Sequence, residues 1–115
     1  MITIYHNPRC QKSRDGMALV EDSGKPFKVI RYMEDNLPAG ELKKLCKLLG
    51  IQPIELVRTK EKIWKEKYRD KSLSDAEILT AMATHPNLIE RPIVVYREAA
   101  VIGRPADKIN ALLKW

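Results

Sequence analysis

The most constraining feature of the sequence is its first 32 residues, in which two short β-branched runs flank one helical pattern. Ile2-Thr3-Ile4-Tyr5 is apolar and is stopped at once by His6-Asn7-Pro8, which is the pattern of a buried central strand. After Cys10, the residues Ser13, Met17, Ala18, Leu19 and Val20 fit a helix that stops near Ser23-Gly24-Lys25-Pro26. Phe27 to Tyr32 then alternates as a second strand. Because this strand follows the helix after only a short link, the segment is a β-α-β unit whose two strands are expected to run parallel.

The remainder sorts into a helical stretch and a closing β-β-α pattern. Pro38 opens a helix whose Leu42, Leu45, Cys46 and Leu49 share one face before Gly50, and Pro53 starts a shorter turn through Leu56 and Val57. Lys60 to Tyr68 is charged, with Ile63, Trp64 and Tyr68 as packing anchors. Ser74 followed three residues later by Glu77 is a capping box ahead of Ile78, Leu79 and Met82, in a segment that closes at His85-Pro86. Ile93 to Tyr96 and Ala99 to Gly103, separated by Arg97-Glu98, predict an antiparallel hairpin. Arg104-Pro105 opens a last helix carrying Ile109, Leu112 and Leu113.

The order β-α-β, inserted helices, β-β-α is that of an α/β chain with a thioredoxin-like (glutaredoxin-like) fold. It is expected as one domain over residues 1–115 with its inserted helical region at about 38–86. A chain of 115 residues can bury one core without disulfides or a structural metal. No apolar run approaches the roughly 20 residues that span a bilayer, and no basic segment followed by an apolar signal core opens the chain, so a cytoplasmic location and no membrane partner are expected. The two cysteines, Cys10 and Cys46, are too few for a disulfide framework or a zinc site. No metal or organic cofactor is implied.

The net charge of +6 admits either nucleic acid or a small anionic substrate. The densest basic stretch, Arg58 to Lys71, has Glu61, Glu66 and Asp70 mixed into it and reads as a solvated helical face. A nucleic-acid partner is therefore not expected.

Cys10 is the residue around which chemistry can be built. A thiol at a helix N-terminus loses its proton more readily, because unpaired N–H groups and the positive end of the macrodipole favour the thiolate. His6, Arg9, Lys12 and Arg14 are placed in sequence to add positive field, and Ser13 to donate a hydrogen bond from one turn away. The competing reading is an inert buried thiol, but the polar, basic surroundings are unlike a core segment. Cys10-Gln11-Lys12-Ser13 is a C-x-x-S, so the resolving thiol must come from Cys46 or from a separate thiol such as glutathione. Cys46 lies on an apolar face and reads as core. The residue six after Cys10 is Gly16 rather than arginine, which disfavours a tyrosine-phosphatase loop. Three arginines fall where the chain turns: Arg58, Arg91 before Pro92, and Arg104 before Pro105. Forked guanidinium donors converging on a thiolate would form a pocket for a tetrahedral oxyanion.

These segments resemble the glutaredoxin-coupled, ArsC-like arsenate reductase family. The matching pieces are Ile2 to Pro8 running into Cys10 and Ser13-Arg14, then Leu56-Val57-Arg58, then His85 to Val95, and Gly103-Arg104-Pro105, in the family's order across almost the whole chain. The resemblance implies an oxidoreductase in which Cys10 attacks arsenate, Arg58, Arg91 and Arg104 bind the oxyanion, and His6 helps keep the thiolate. It also implies that glutathione, as co-substrate, attacks the cysteine-bound arsenic and that glutaredoxin reduces the mixed disulfide, with arsenite as product. Pro92 is implied to be the cis-proline of thioredoxin-like folds. Ending at Lys114-Trp115, the chain looks like a short member. Two alternatives remain open: an Spx-like regulator that binds RNA polymerase, against which Ser13 in place of a second cysteine argues, and a thiol oxidoreductase acting on another substrate, since a single activated thiol supports mixed-disulfide exchange.

Overall fold

The computed structural model of the protein describes residues 1–114. The described chain divides into two compact units: Met1–Asp35 together with the chain from Arg91 onward, and Asn36–Glu90.

The first unit is built on a four-stranded sheet of order β2-β1-β3-β4, with β1 at Ile2–Tyr5, β2 at Phe27–Ile30, β3 at Ile93–Tyr96 and β4 at Ala99–Ile102. The central position expected for β1 follows from its pairing on both sides. It runs parallel to β2, with Ile2 opposite Phe27, and antiparallel to β3, with Ile2 opposite Tyr96. β3 and β4 form the expected antiparallel hairpin, and Arg97 takes the left-handed φ of 58° that its two-residue turn requires.

Two helices cover one face of this sheet: α1, Gln11–Asp22, and α6, Asp107–Leu113. Residues two apart on a strand share a face, so Ile2, Ile4, Val94 and Tyr96 present one apolar surface to Val20, Ile109, Leu112 and Leu113. The fully buried stripe of α1 is Ser13, Gly16 and Val20. Met17 and Leu19 are only partly buried, and Ala18 faces solvent.

β2 departs from expectation at both ends of its pattern. It stops at Ile30, and Tyr32, expected in the strand, instead opens a short helix, α2, Tyr32–Asp35, with its side chain fully buried. Phe27 and Val29 remain 38% and 37% exposed because β2 is the sheet's edge.

The second unit is helical. Its elements are α3, Ala39–Leu49; a 3-10 turn, Pro53–Leu56; α4, Lys62–Lys67; α5, Asp75–Thr84; and a second 3-10 turn, Pro86–Leu88. α3 ends at Gly50, whose φ of 70° is the left-handed conformation that a helix stop asks of glycine. Ser74 and Glu77 form the predicted reciprocal capping box at the start of α5. α5 packs against α3 and both 3-10 turns, with Leu42, Leu45, Leu56, Ile78, Met82 and Leu88 buried. Trp64 stacks on Tyr68 at 5.4 Å, which in turn meets the edge of His85. Among the described residues no helix is long and apolar enough to cross a membrane.

Candidate active site

The thiol of Cys10 stands at the N-cap of α1, where the chain leaves β1 through a tight turn. The turn is specified by local hydrogen bonds. The Asn7 side-chain oxygen accepts from the Arg9 amide at 3.1 Å, and the Asn7 carbonyl accepts from the Cys10 amide at 3.0 Å. On its outer side, the Arg14 guanidinium donates to the Pro8 carbonyl at 3.0 Å and to Gln11 Oε1 at 2.7 Å.

Ser13 holds the turn from within. Its hydroxyl is completely buried, shares a 2.6 Å hydrogen bond with His6 Nδ1 and accepts from the Asn7 amide at 2.9 Å. This corrects the expected role of Ser13, since its hydroxyl is engaged with His6 and Asn7, and it is its backbone N–H that hydrogen-bonds the Cys10 thiol.

Four influences set the thiol's acidity. Partial burial pushes it up, but the Ser13 backbone N–H, the hydrogen bond and charge of the Arg91 guanidinium, and the Lys12 backbone N–H together hold it below the ordinary thiol value. Helix-start N–H groups and one cation thus stabilise the thiolate.

His6, Arg9, Lys12 and Arg14 are the groups from which the sequence predicts positive field. Arg91 is the cation that acts on the thiol, and Lys12 contributes through its backbone. His6 is buried. Burial first, then the charges of Arg31 and Arg14, hold its imidazole below the ordinary value against an opposing influence of Glu21. Near neutral pH it is an uncharged group that positions Ser13.

Arg91 precedes β3 through a cis bond to Pro92, as the resemblance implied for that proline. Its Nε and Nη1 are buried without a hydrogen-bond partner among the described residues. Buried donors left unmatched cost about 1–3 kcal/mol each, and more on a charged group, so these two are poised for an incoming acceptor.

Arg104, also joined to its proline by a cis bond, follows β4 with an exposed side chain, and its amide donates to the Ile102 carbonyl. Arg58 belongs to the helical unit. There its Nη1 lies 2.7 Å from Glu61 and its Nε 3.6 Å from Glu90, beside an antiparallel bridge between Val57 and Ile89.

Two glycines carry a role that the sequence reading missed. A Cβ on Gly16 would stand 2.7 Å from Pro92 Cγ and 2.9 Å from Ile109 Cδ1, and one on Gly103 would stand 2.6 Å from Ile109 Cδ1. α1, the end of β4 and α6 therefore close around Pro92 because both positions lack a side chain. A glycine inside a helical pattern and another just after a strand were the available signals.

Cys46 is buried on α3 and its thiol is pushed up, by burial and then by the charges of Asp75 and Glu55. Among the described residues no cluster of His, Cys, Asp and Glu could hold a metal ion.

Comparison with known proteins agrees on one family. Residues 5–112 match the ArsC family. The chain is 39% identical over 114 residues to an arsenate reductase of Haemophilus influenzae, covering 97% of this chain and 98% of that one. It is 43% identical over 110 residues to the uncharacterized protein YfgD of Escherichia coli, covering 94% and 92%. The solved arsenate reductase of Vibrio cholerae superposes with a TM-score of 0.91 at 44% identity, covering 96% of this chain and 95% of that one.

Proposed function

The chain belongs to the ArsC family, and from that premise we propose that it reduces arsenate to arsenite through the Cys10 thiolate. The observation that carries this reading is Arg91, whose hydrogen bond and charge act on the thiol while two buried donors of the same guanidinium have no partner among the described residues. A fork of unmatched N–H groups beside a nucleophile suits a tetrahedral oxyanion.

In the proposed reaction the Cys10 thiolate attacks arsenic, and one arsenate oxygen leaves as water after protonation. Glutathione, as co-substrate, then adds its thiol to the cysteine-bound arsenic and a second oxygen departs. The two sulfurs join, arsenic(V) takes up the electron pair to become arsenic(III), and the released two-oxygen arsenic(III) acid takes up one water to give arsenite. Glutaredoxin reduces the resulting Cys10–glutathione disulfide, in a cytoplasmic setting that keeps glutathione reduced. A separate thiol is needed because Ser13 stands where a dithiol motif would place its second cysteine. Arg104 and Arg58 are proposed to add oxyanion contacts.

The test is arsenate-dependent NADPH consumption coupled to glutathione, glutaredoxin and glutathione reductase, with Cys10→Ser and Arg91→Ala compared with the native protein. Loss in both variants supports the reading. Full turnover by Cys10→Ser overturns it. An inactive native protein whose Cys10 is still rapidly alkylated shifts the substrate to another disulfide or thiol adduct.

A further inference from the structure

Next to the Cys10 turn lies a cleft of about 380 Å³ lined by Asn7, Pro8, Arg9, Arg31, Met33 and Glu34. Its volume falls within the roughly 300–1,000 Å³ typical of small-molecule sites. One wall is the turn that carries the nucleophile, since Asn7 accepts the Cys10 amide hydrogen bond. The other wall is Arg31, which follows β2, together with Met33 and Glu34 of α2. A molecule seated there lies one residue from the thiol.

The charges of the cleft form a pattern. Arg9 and Arg31 contribute two guanidinium groups and Glu34 one carboxylate, and among the described residues none of the three is held in an ion pair. Arginines along the site are elsewhere committed: Arg14 is bonded to the loop, and Arg91 acts on the thiol. Pro8 and the 40% exposed Met33 give an apolar surface between the charges.

We propose that this cleft is the docking site of the thiol reductant, a small peptide thiol bearing two carboxylates and one ammonium, which is the charge pattern of glutathione. Two cations face the two carboxylates, and Glu34 faces the ammonium. The proposal rests on the reading of Cys10 as a thiol that passes through a mixed disulfide with glutathione, and it names where that partner sits.

The site can be tested without arsenate. When glutathione disulfide meets the full-length protein, the Cys10 thiolate attacks one sulfur, a Cys10–glutathione disulfide forms, and the second glutathione leaves as a thiolate. That rate is measured by mass spectrometry for the native protein, the double variant Arg9→Glu/Arg31→Glu and the variant Glu34→Gln. Each is divided by the same protein's rate of Cys10 alkylation with iodoacetamide, which removes effects on thiol acidity and fold. The same ratios are taken with 3,3′-dithiodipropionate, which has carboxylates and no ammonium.

The double charge reversal should lower the glutathione disulfide ratio on the order of tenfold. Glu34→Gln should lower it about threefold, as loss of an exposed ion pair does, while leaving unchanged or raising the dithiodipropionate ratio. If Glu34→Gln instead raises both ratios, charge steering alone explains the rates and the cleft is not the site. Arsenate enters none of these measurements. A chain inactive on arsenate can therefore still confirm the cleft, and an active reductase can still refute it.

Discussion

His6 Nδ1 and Ser13 Oγ lie 2.6 Å apart, both buried, joining the end of β1 to the first turn of α1, the helix that Cys10 caps. Ser13 also accepts from the Asn7 amide, so one hydroxyl ties the strand end and the loop to the helix. Ser13→Ala should leave the Asn7 N–H and the imidazole unmatched and destabilise the fold by about 1–3 kcal/mol in urea unfolding. The loosened turn should also slow Cys10 alkylation at neutral pH, because the backbone N–H groups of Ser13 and Lys12 no longer converge on the sulfur.

Arg91 lowers the thiol's pKa by hydrogen bond and charge. Arg91→Ala should therefore raise it and reduce the thiolate fraction at pH 7, read as an upward-shifted midpoint in the pH profile of iodoacetamide alkylation. Arg91→Lys should recover part of that shift through its charge. It should recover little arsenate turnover, since an ammonium lacks the planar fork.

His6 is held below its ordinary pKa by burial and by its neighbouring cations. Between the folded and unfolded values the unfolded chain binds more protons, so this group's contribution is present above about pH 6.5 and is lost as pH falls through the folded value. Urea midpoints should drop from pH 7.5 to 5.5. In His6→Asn the drop should be smaller.

Gly16 and Gly103 face Pro92 and Ile109 with no space for a methyl group. Each alanine variant should lose about 1–3 kcal/mol from overpacking. Ile109→Val removes the Cδ1 that both would strike. It should rescue Gly103→Ala more than Gly16→Ala, because the latter still meets Pro92 Cγ at 2.7 Å.

Cys46 is buried with its thiol pushed up, whereas Cys10 is partly exposed with its thiol held down. Limited alkylation of the native protein at pH 7, mapped by peptide mass, should modify Cys10 alone. Labelling of Cys46 should follow only on unfolding.

What could be read from the sequence was what neighbours along the chain decide. β1, α1, the β3–β4 hairpin and the Ser74–Glu77 box all lie in short patterns whose periodicity or capping chemistry is local, and they form where expected. Tyr32 was misplaced because its burial is set by tertiary packing that alternation cannot report. Cys10 was found from its place before a helix, and Arg91 from its place before a proline. Their interaction depends on β3 lying beside β1, a pairing between residues some ninety positions apart in sequence. The true partner of the Ser13 hydroxyl was hidden for another reason. His6 and Cys10 both lie within reach of it along the chain, and only the path of the turn selects between them.

The Gly103 amide donates to the Pro92 carbonyl at 2.8 Å, within the contact that admits no side chain at Gly16 or Gly103. That amide should exchange with deuterium only when the whole first unit opens, whereas the amide of the exposed Arg9, bonded to the Asn7 side chain, should exchange through local fluctuation. The nucleophile consequently sits between an unyielding wall and a compliant one. Reactants of different size should be accommodated by adjustment of the Asn7 to Arg9 turn while the Arg91 side of the site keeps its shape.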